Sequence, residues 1–375
     1  MNNLSGFLAN SKDMASVYKP VILRLDNAEH KVTFDGLFDD SKILFVYDEI
    51  YGQLQELIKS QNPSIKIKAD EYPALIDKHL AGKDIGEYGV WVYYPWSQRL
   101  VHLLDEEEFA EVRTNRNRNK ITREEQKILK TKKIGIVGLS VGQSIALTIA
   151  MERTCGELRL ADFDTAELSN LNRIRTGVHN LGLNKTVIAA REIFELDPFL
   201  NVKIFNDGLN DGNMDAFFLE DGKLDLFVEV CDGLDVKIIS RYKAREFQIP
   251  VVMDTNDRGM LDIERFDLEP GRPVFHGLAD GLNPDNIKDL TNEEKIPYIL
   301  KMIGADTISA RLKASMQEVN KTINTWPQLA SSVTLGGAAT TDVCRRILLD
   351  QFHDSGRYYV DLDEIIGNKI PGQSI

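Results

Sequence analysis

Two stretches of this 375-residue chain concentrate side chains whose types and spacing could do chemistry. In "KIGIVGLSVGQSIAL", Gly138-Leu139-Ser140-Val141-Gly142 spells G-x-S-x-G, the turn that exposes a nucleophilic serine in α/β-hydrolases. The same residues can equally be a glycine-rich turn that brings backbone N–H groups up to a nucleotide phosphate. The second stretch, "LADFDTAELSNLNRIRTGVHNLGLNKTVIAARE", carries Asp162, Asp164, Ser169, Asn170, Arg173 and Lys185, a heavy load of polar groups. Asp162 lies twenty positions past Gly142, the spacing at which an acid at the tip of a second strand reaches a ribose hydroxyl.

Such residues need a frame, and one is legible from Lys132 onward. "KIGIVG", "ELRLAD", "NVKIF", "DLFVEVC" and "PVVMD" read as strands; "VGQSIALTIAMER", "KTVIAAREIFEL" and "DVKIISRYKAREF" read as helices. Apolar strand cores joined by amphipathic helices predict an α/β fold with a Rossmann-like, mostly parallel sheet, helices on both faces and right-handed crossovers. Ligands of such sheets sit beyond the carboxyl ends of the strands. That rule selects the 138–142 turn, Asp162-Phe163-Asp164 and, after "DLFVEVC", Asp232. A small N-terminal α/β domain is expected over residues 1–110. There "KILFVYDEI" reads as a strand, "YGQLQELIKSQ" as a helix and "GVWVYYPWSQRLVHLL" as two strands around a turn. It shows no catalytic constellation, and His30, His79 and His102 read as structural or solvated. The stretch "EEEFAEVRTNRNRNKITREEQKILKTKK" between the two parts reads as a polar, helical, solvated linker.

The two readings of the glycine turn can be weighed. A hydrolase should bring an H-G-G-G type loop before its nucleophile, then a later acid and a histidine. No glycine-rich loop precedes Ser140, and His276 and His353 are such as almost any chain offers. A dinucleotide oxidoreductase would share the ribose acid. Its full G-x-G-x-x-G is missing, however, and a redox cofactor does not require the polar load after Asp162.

Asp162-Phe163-Asp164, Ser169-Asn170-Leu171-Asn172-Arg173 and Lys185 resemble the D-x-D, S-N-L-x-R and lysine of the ThiF/MoeB/HesA family, the ubiquitin-activating-type adenylyltransferases. Downstream, "EVCDGLDVKIISRYKAREFQIPVVM", "RGMLDIERFDLEPGRPVFHG" and "LGGAATTDVCRRILL" are similar to that family's next ATP-site strand, crossover region and closing helix. The likeness runs from about Arg113 to Leu349. It implies a ThiF-like ATP-binding adenylation domain over 111–375, in which a carboxylate oxygen attacks the α-phosphate of ATP and pyrophosphate leaves. Positioning and charge neutralisation are then the protein's task. The resemblance assigns Arg173 and Lys185 to the phosphates, Asn170 to a phosphate or the ribose, and Asp162 to the ribose hydroxyls. It assigns Ser169 and Asp164 to the ATP site, with a cap of the loop as the alternative for Asp164, and Asp232 to Mg²⁺. Gly138, Ser140 and Gly142 become the phosphate-facing turn. That turn looks one residue shorter than the family's usual G-x-G-G-x-G, and Ser140 is a turn residue rather than a nucleophile.

Family members usually act as dimers, so a homodimer is expected. "VRTNRNRNK" resembles an R-x-x-R-N element that reaches into the partner's site, which would bring Arg116, with Arg113 beside it, to the leaving pyrophosphate in trans. The solvated linker is the alternative. Full ubiquitin-activating enzymes also carry a catalytic cysteine after the adenylation site, and none lies between Thr255 and Leu335 here. Cys155, Cys231 and Cys344 read as core residues. The family's zinc-binding C-x-x-C pairs are missing too, with "PVFHG" in the place of the first, so no structural zinc is expected.

Composition sets the outer bounds. With 43% hydrophobic and 27% charged residues the chain is long enough for two domains with real cores. A net charge of −13 argues against nucleic acid as the main partner. The opening "MNNLSGFLANSKDMASVYKP" lacks the pattern of a leader, and no run of eighteen apolar residues occurs, so a cytoplasmic protein with no membrane partner is expected. Three functions stay open. The first is adenylation of the C-terminal glycine of a small ubiquitin-like or sulfur-carrier protein; the second is the same chemistry on a small molecule, a peptide or a modified tRNA base. The third is a non-catalytic nucleotide-binding scaffold.

Overall fold

The computed structural model describes residues 12–39, 42–304 and 307–367. Residues 1–11, part of the opening stretch read for a leader pattern, lie outside the described residues. The chain divides into two compact units, Met1–Glu124 with Arg191–Leu200, and Glu125–Ala190 with Asn201–Ile375. Among the described residues no helix is long and apolar enough to cross a membrane.

The first unit is built on a four-stranded sheet of order β1-β3-β4-β2. Its strands are β1 (Val21–Leu23), β2 (Phe45–Asp48), β3 (Val90–Tyr94) and β4 (Arg99–Leu103). β3 and β4 form an antiparallel hairpin, and β2 runs parallel to β4 at the edge. The helices Ile50–Gln61 and Tyr72–Leu80 bury Leu54, Leu57, Ile58 and Ile76 in a common core. Each of the three histidines is engaged locally. His102 stacks on Trp91 at 4.2 Å and bonds Asp48 and the Tyr88 carbonyl; His79 meets the Tyr88 hydroxyl and Glu108; His30 accepts the N–H of Arg24. The polar linker is not one helix. It forms Glu106–Arg113 and Arg123–Lys130, separated by the 3₁₀ turn Asn115–Asn117 and by Asn119 at φ 70°. Thr114 donates its hydroxyl to the Ala110 carbonyl where the first helix ends, and Asn119 takes a left-handed backbone that a helix cannot continue, so the helix breaks where the charge pattern alone would have continued it.

The second unit holds a seven-stranded sheet of order β11-β10-β9-β8-β5-β6-β7. The strands are β5 (Lys133–Val137), β6 (Glu157–Ala161), β7 (Asn201–Phe205), β8 (Leu226–Glu229), β9 (Val251–Asp254), β10 (Met260–Glu264) and β11 (Gly356–Tyr359). β5 to β9 pair in parallel, whereas β10 and β11 run antiparallel at one edge. The chain moves outward from β5 through β6 to β7 and then returns to place β8 on the other side of β5. That reversal opens a crevice above the carboxyl ends of β5 and β8, the place where open α/β sheets bind ligands.

Alternation along β9 sends Val251 and Met253 into the core shared with the helix Leu234–Glu246. Asp254 turns to the other face, against the helix Ala330–Leu348, whose Gly336 could not bear a Cβ without overlapping the carboxyl group. Asp254 is 4% exposed and its Oδ2 has no protein partner. Burial pushes its pKa up from 3.8 to about 7. The folded chain therefore holds this proton more tightly than the unfolded one. Its stability is highest, on this group's account, below pH 4; it falls as the pH climbs from about 4 to 7 and stays at the full penalty above. Asp254→Asn should thus raise the unfolding free energy at pH 8 by up to about 4 kcal/mol. The gain should vanish near pH 4, as followed by urea denaturation across that range.

Candidate active site

Three turns at the carboxyl ends of β5, β6 and β8 form the site, and backbone contacts hold them together. Gly138 follows β5 with φ +89°. A Cβ there would lie 2.7 Å from the backbone of Val230 and Cys231, so only glycine lets the turn after β5 lie against the turn after β8. Asp162, 8% exposed after β6, accepts the N–H of Leu139 through Oδ2 at 2.6 Å and the N–H of Asp164 through Oδ1 at 2.8 Å. One carboxylate thereby fastens two turns. Burial raises its pKa, against the two N–H groups and Lys185, which act to lower it.

The cations follow. Lys185 opens the helix Lys185–Leu196, is 7% exposed, and reaches Asp164 Oδ2 at 2.7 Å. Arg173 ends the 3₁₀ turn Leu168–Asn172 and donates from Nε to Ser140 Oγ at 2.9 Å and from Nη1 to Asn172 Oδ1 at 3.0 Å. Its pKa is lowered by burial, while the negative charge of Asp232 acts in the opposite sense. Arg173 thus stands within electrostatic reach of both the glycine turn and Asp232, which lies exposed after β8. Gly142 begins the helix Gly142–Glu152, whose N-terminal end belongs to the same turn and favours an anion.

Not every residue expected here points its polar atoms into the crevice. Asn170 is buried, and its Oδ1 accepts the N–H of Glu167 in a reciprocal cap of the 3₁₀ turn. Asp164 is tied to Lys185 by its side chain and by its carbonyl, which accepts the lysine N–H at 3.0 Å. Ser169 is exposed and bonds Glu167 at 3.4 Å. Arg116 belongs to the first unit, exposed on the turn Asn115–Asn117, and Arg113 pairs with Asp197 at 3.2 Å. Of the cysteines, Cys155 and Cys344 are buried, but Cys231 is only partly so and adjoins the glycine turn. Packing around its sulfur, followed by the charge of Glu229, pushes the thiol pKa up, so it stays protonated rather than nucleophilic.

Sequence reasoning missed Gln143, whose carboxamide bonds both the N–H and the carbonyl of Arg175 at 3.1 Å and so ties the segment after Arg173 to the helix start. It also missed Glu229, a carboxylate whose only sequence signal is an acid inside the apolar run "LFVEV".

Two substitutions separate the roles within the turn. Gly138→Ala should lower stability by about 2–4 kcal/mol, through positive φ and the clash with β8, as read by thermal melting. Ser140→Ala should leave melting unchanged but weaken ATP binding roughly tenfold in calorimetry, because Arg173 loses its tether.

Comparison with known proteins bears on the whole arrangement. The ThiF family model matches residues 114–331. The uncharacterized protein MT1398 of Mycobacterium tuberculosis is 42% identical over 344 residues, 91% of this chain, and the chain spans 45% of that relative's length. Molybdopterin-synthase adenylyltransferase of Haemophilus influenzae is 24% identical over 193 residues, covering 50% of this chain and 78% of the relative. Among solved structures, the E. coli tRNA N6-threonylcarbamoyladenosine dehydratase TcdA aligns over 66% of this chain and 98% of its own, at 15% identity and a TM-score of 0.45. With the family match covering more than half of its length, the chain belongs to the ThiF family.

Proposed function

We propose that the protein is an ATP- and Mg²⁺-dependent adenylyltransferase that activates a carboxylate as acyl-AMP without a catalytic cysteine. We take its substrate to be the C-terminal glycine of a small ubiquitin-like or sulfur-carrier protein. One observation carries the reading: Ser140, Arg173 and Asp232 converge above the carboxyl ends of β5 and β8, with Arg173 held at 2.9 Å from Ser140. Family membership and the adenylyltransferases among the relatives support it.

In this reaction a carboxylate oxygen forms a bond to the α-phosphorus as the bond to the bridging pyrophosphate oxygen breaks. Charge builds on the phosphate oxygens, and fixed cations and N–H groups offset it. Arg173, oriented by Ser140, is suited to the α-phosphate; the N-terminal end of the helix Gly142–Glu152 faces the same anion. Lys185 is close enough to the nucleotide acid Asp162 to act on its ionisation, and an incoming phosphate would compete with Asp164 for its ammonium. Mg²⁺ takes one or two carboxylates and completes its shell with phosphate oxygens and water. Among the described residues no group of three or more His, Cys, Asp or Glu gathers for a metal, and the exposed carboxylate of Asp232 fits this sparser need. Bound there, the ion would supply charge neutralisation on the phosphate oxygens. Arg116 acts in trans within a homodimer, on the leaving pyrophosphate. The protonated thiol of Cys231 and the absence of cysteine between Thr255 and Leu335 favour release of the acyl-adenylate to a nucleophile from outside the chain. The whole reaction is taken to occur in the cytoplasm.

ATP–pyrophosphate exchange over candidate carboxylates tests the proposal. Asp232→Ala and Arg173→Ala should each lose at least about a hundredfold in exchange with unchanged melting. Wild-type activity in either would remove that residue from the mechanism, and a chain that binds no ATP would be a scaffold. If Arg116 works in trans, mixing inactive Arg116→Ala with inactive Asp232→Ala subunits should restore activity, since one site of the mixed dimer is intact. Continued inactivity of the mixture would place Arg116 outside the partner's site.

A further inference from the structure

A second polar system lies directly behind Asp232 and takes no part in the roles assigned above. Glu229, the last residue of β8, is wholly buried. Its Oε1 accepts the N–H of Cys231, the residue before Asp232, at 2.9 Å. Its two oxygens also accept from Lys237 Nζ at 2.9 and 3.0 Å. Arg241, wholly buried as well, bonds Glu229 through Nη1 and Glu264 Oε2 through Nε, the latter at 2.8 Å. Glu264 Oε1 in turn accepts the N–H of Phe275 at 2.6 Å, and the Arg241 guanidinium lies 3.7 Å over the Phe275 ring. Beside them Asp262 bonds Arg357 at 2.6 Å and His276 at 3.1 Å. Three carboxylates therefore face Lys237, Arg241 and Arg357, with His276 beside them.

Buried ionic clusters contribute little net stability, because each ion gives up its hydration and an apolar set of equal volume often does as well. What they supply is direction, through charge-assisted hydrogen bonds at fixed atoms. Asp232 itself is exposed, so its direction depends on how the backbone of its turn is held. Glu229 grips the near side of that turn through the Cys231 N–H, and Lys237 and Arg241 rise from the helix Leu234–Glu246 that begins on its far side. Because Gly138 lies against Val230 and Cys231, a shift of this backbone would also reach the phosphate-facing turn.

We infer that Glu229, Lys237 and Arg241 are positioning residues that set where the Asp232 carboxylate stands relative to the 138–142 turn, and hence how well a metal–nucleotide pair is bound between them. The inference rests on the adenylation reading and adds to it the residues that align its metal-facing acid.

Lys237 is the partner to change, since it is the least buried of the three. In Lys237→Met, Mn²⁺ affinity in the presence of a non-hydrolysable ATP analogue, read by electron paramagnetic resonance, should fall at least about tenfold. Binding of the analogue without metal should stay within about twofold, and the Cys231 amide should exchange faster with deuterium. Lys237→Arg, which keeps the charge on Glu229, should recover most of the metal affinity. Should Lys237→Met not fold, Lys237→Gln, which can still donate to Glu229, carries the same measurement. A folded variant with wild-type Mn²⁺ affinity and wild-type exchange at Cys231 would overturn the positioning role while leaving the adenylation reading intact. A wild-type protein that binds neither the analogue nor Mn²⁺ with it would overturn both.

Discussion

Gly138 has no side chain, and the site depends on that. Where any other residue would hold the turn after β5 away from β8, glycine lets two backbones meet at the point where the sheet reverses its order. Contact there brings the 138–142 turn and the strand end that leads to Asp232 together, although nearly a hundred residues separate them. Asp162 adds the third side by accepting N–H groups from the turn after β5 and from its own loop. Three strand ends thus become one surface through a missing Cβ and one carboxylate.

Charge is arranged around this surface at two depths. In front, Asp232 is exposed and Arg173 is held by a neutral hydroxyl. Behind, Glu229, Arg241 and Glu264 are removed from water and bonded to one another, and buried Asp262 beside them is held by Arg357 and His276. The same buried set anchors the segment "PVFHG", the place where the family resemblance puts a zinc-binding cysteine pair. Glu264 holds the Phe275 N–H and Asp262 holds His276. Carboxylates fixed in β10 do the anchoring there by hydrogen bonds.

Membership of the ThiF family fixes the kind of chemistry to ask about and leaves the substrate open. This chain spans under half the length of the Mycobacterium tuberculosis relative that it matches over 91% of its own residues. The molybdopterin-synthase adenylyltransferase match, by contrast, involves only half of this chain. What the first unit contributes is a separate question from what the second does. Its histidines His30, His79 and His102, each engaged by a neighbour, do not answer it with a constellation of their own.

The sequence by itself determined the alternation of strand and helix, the parallel character of the sheet's centre, and the identity of the residues gathered at its edge. These are local signals. Periodicity marks which face of an element is buried, and the turn of glycines, D-F-D and S-N-L-N-R mark strand ends by residue type alone. Only the tertiary structure decided how those residues are used. Asn170 reads as a ligand residue yet caps its own turn; Asp164 faces Lys185; and the linker breaks at its asparagines. The burial of Asp254 could not be read, and the cluster around Glu229 shows in the sequence only as an acid inside an apolar run. Burial and the choice of partner depend on which distant segments meet: Gly336 over Asp254, Arg241 and Glu264 on Glu229. A carboxylate's chemistry is set by the water it loses and the cation it gains, and both come from elsewhere in the chain.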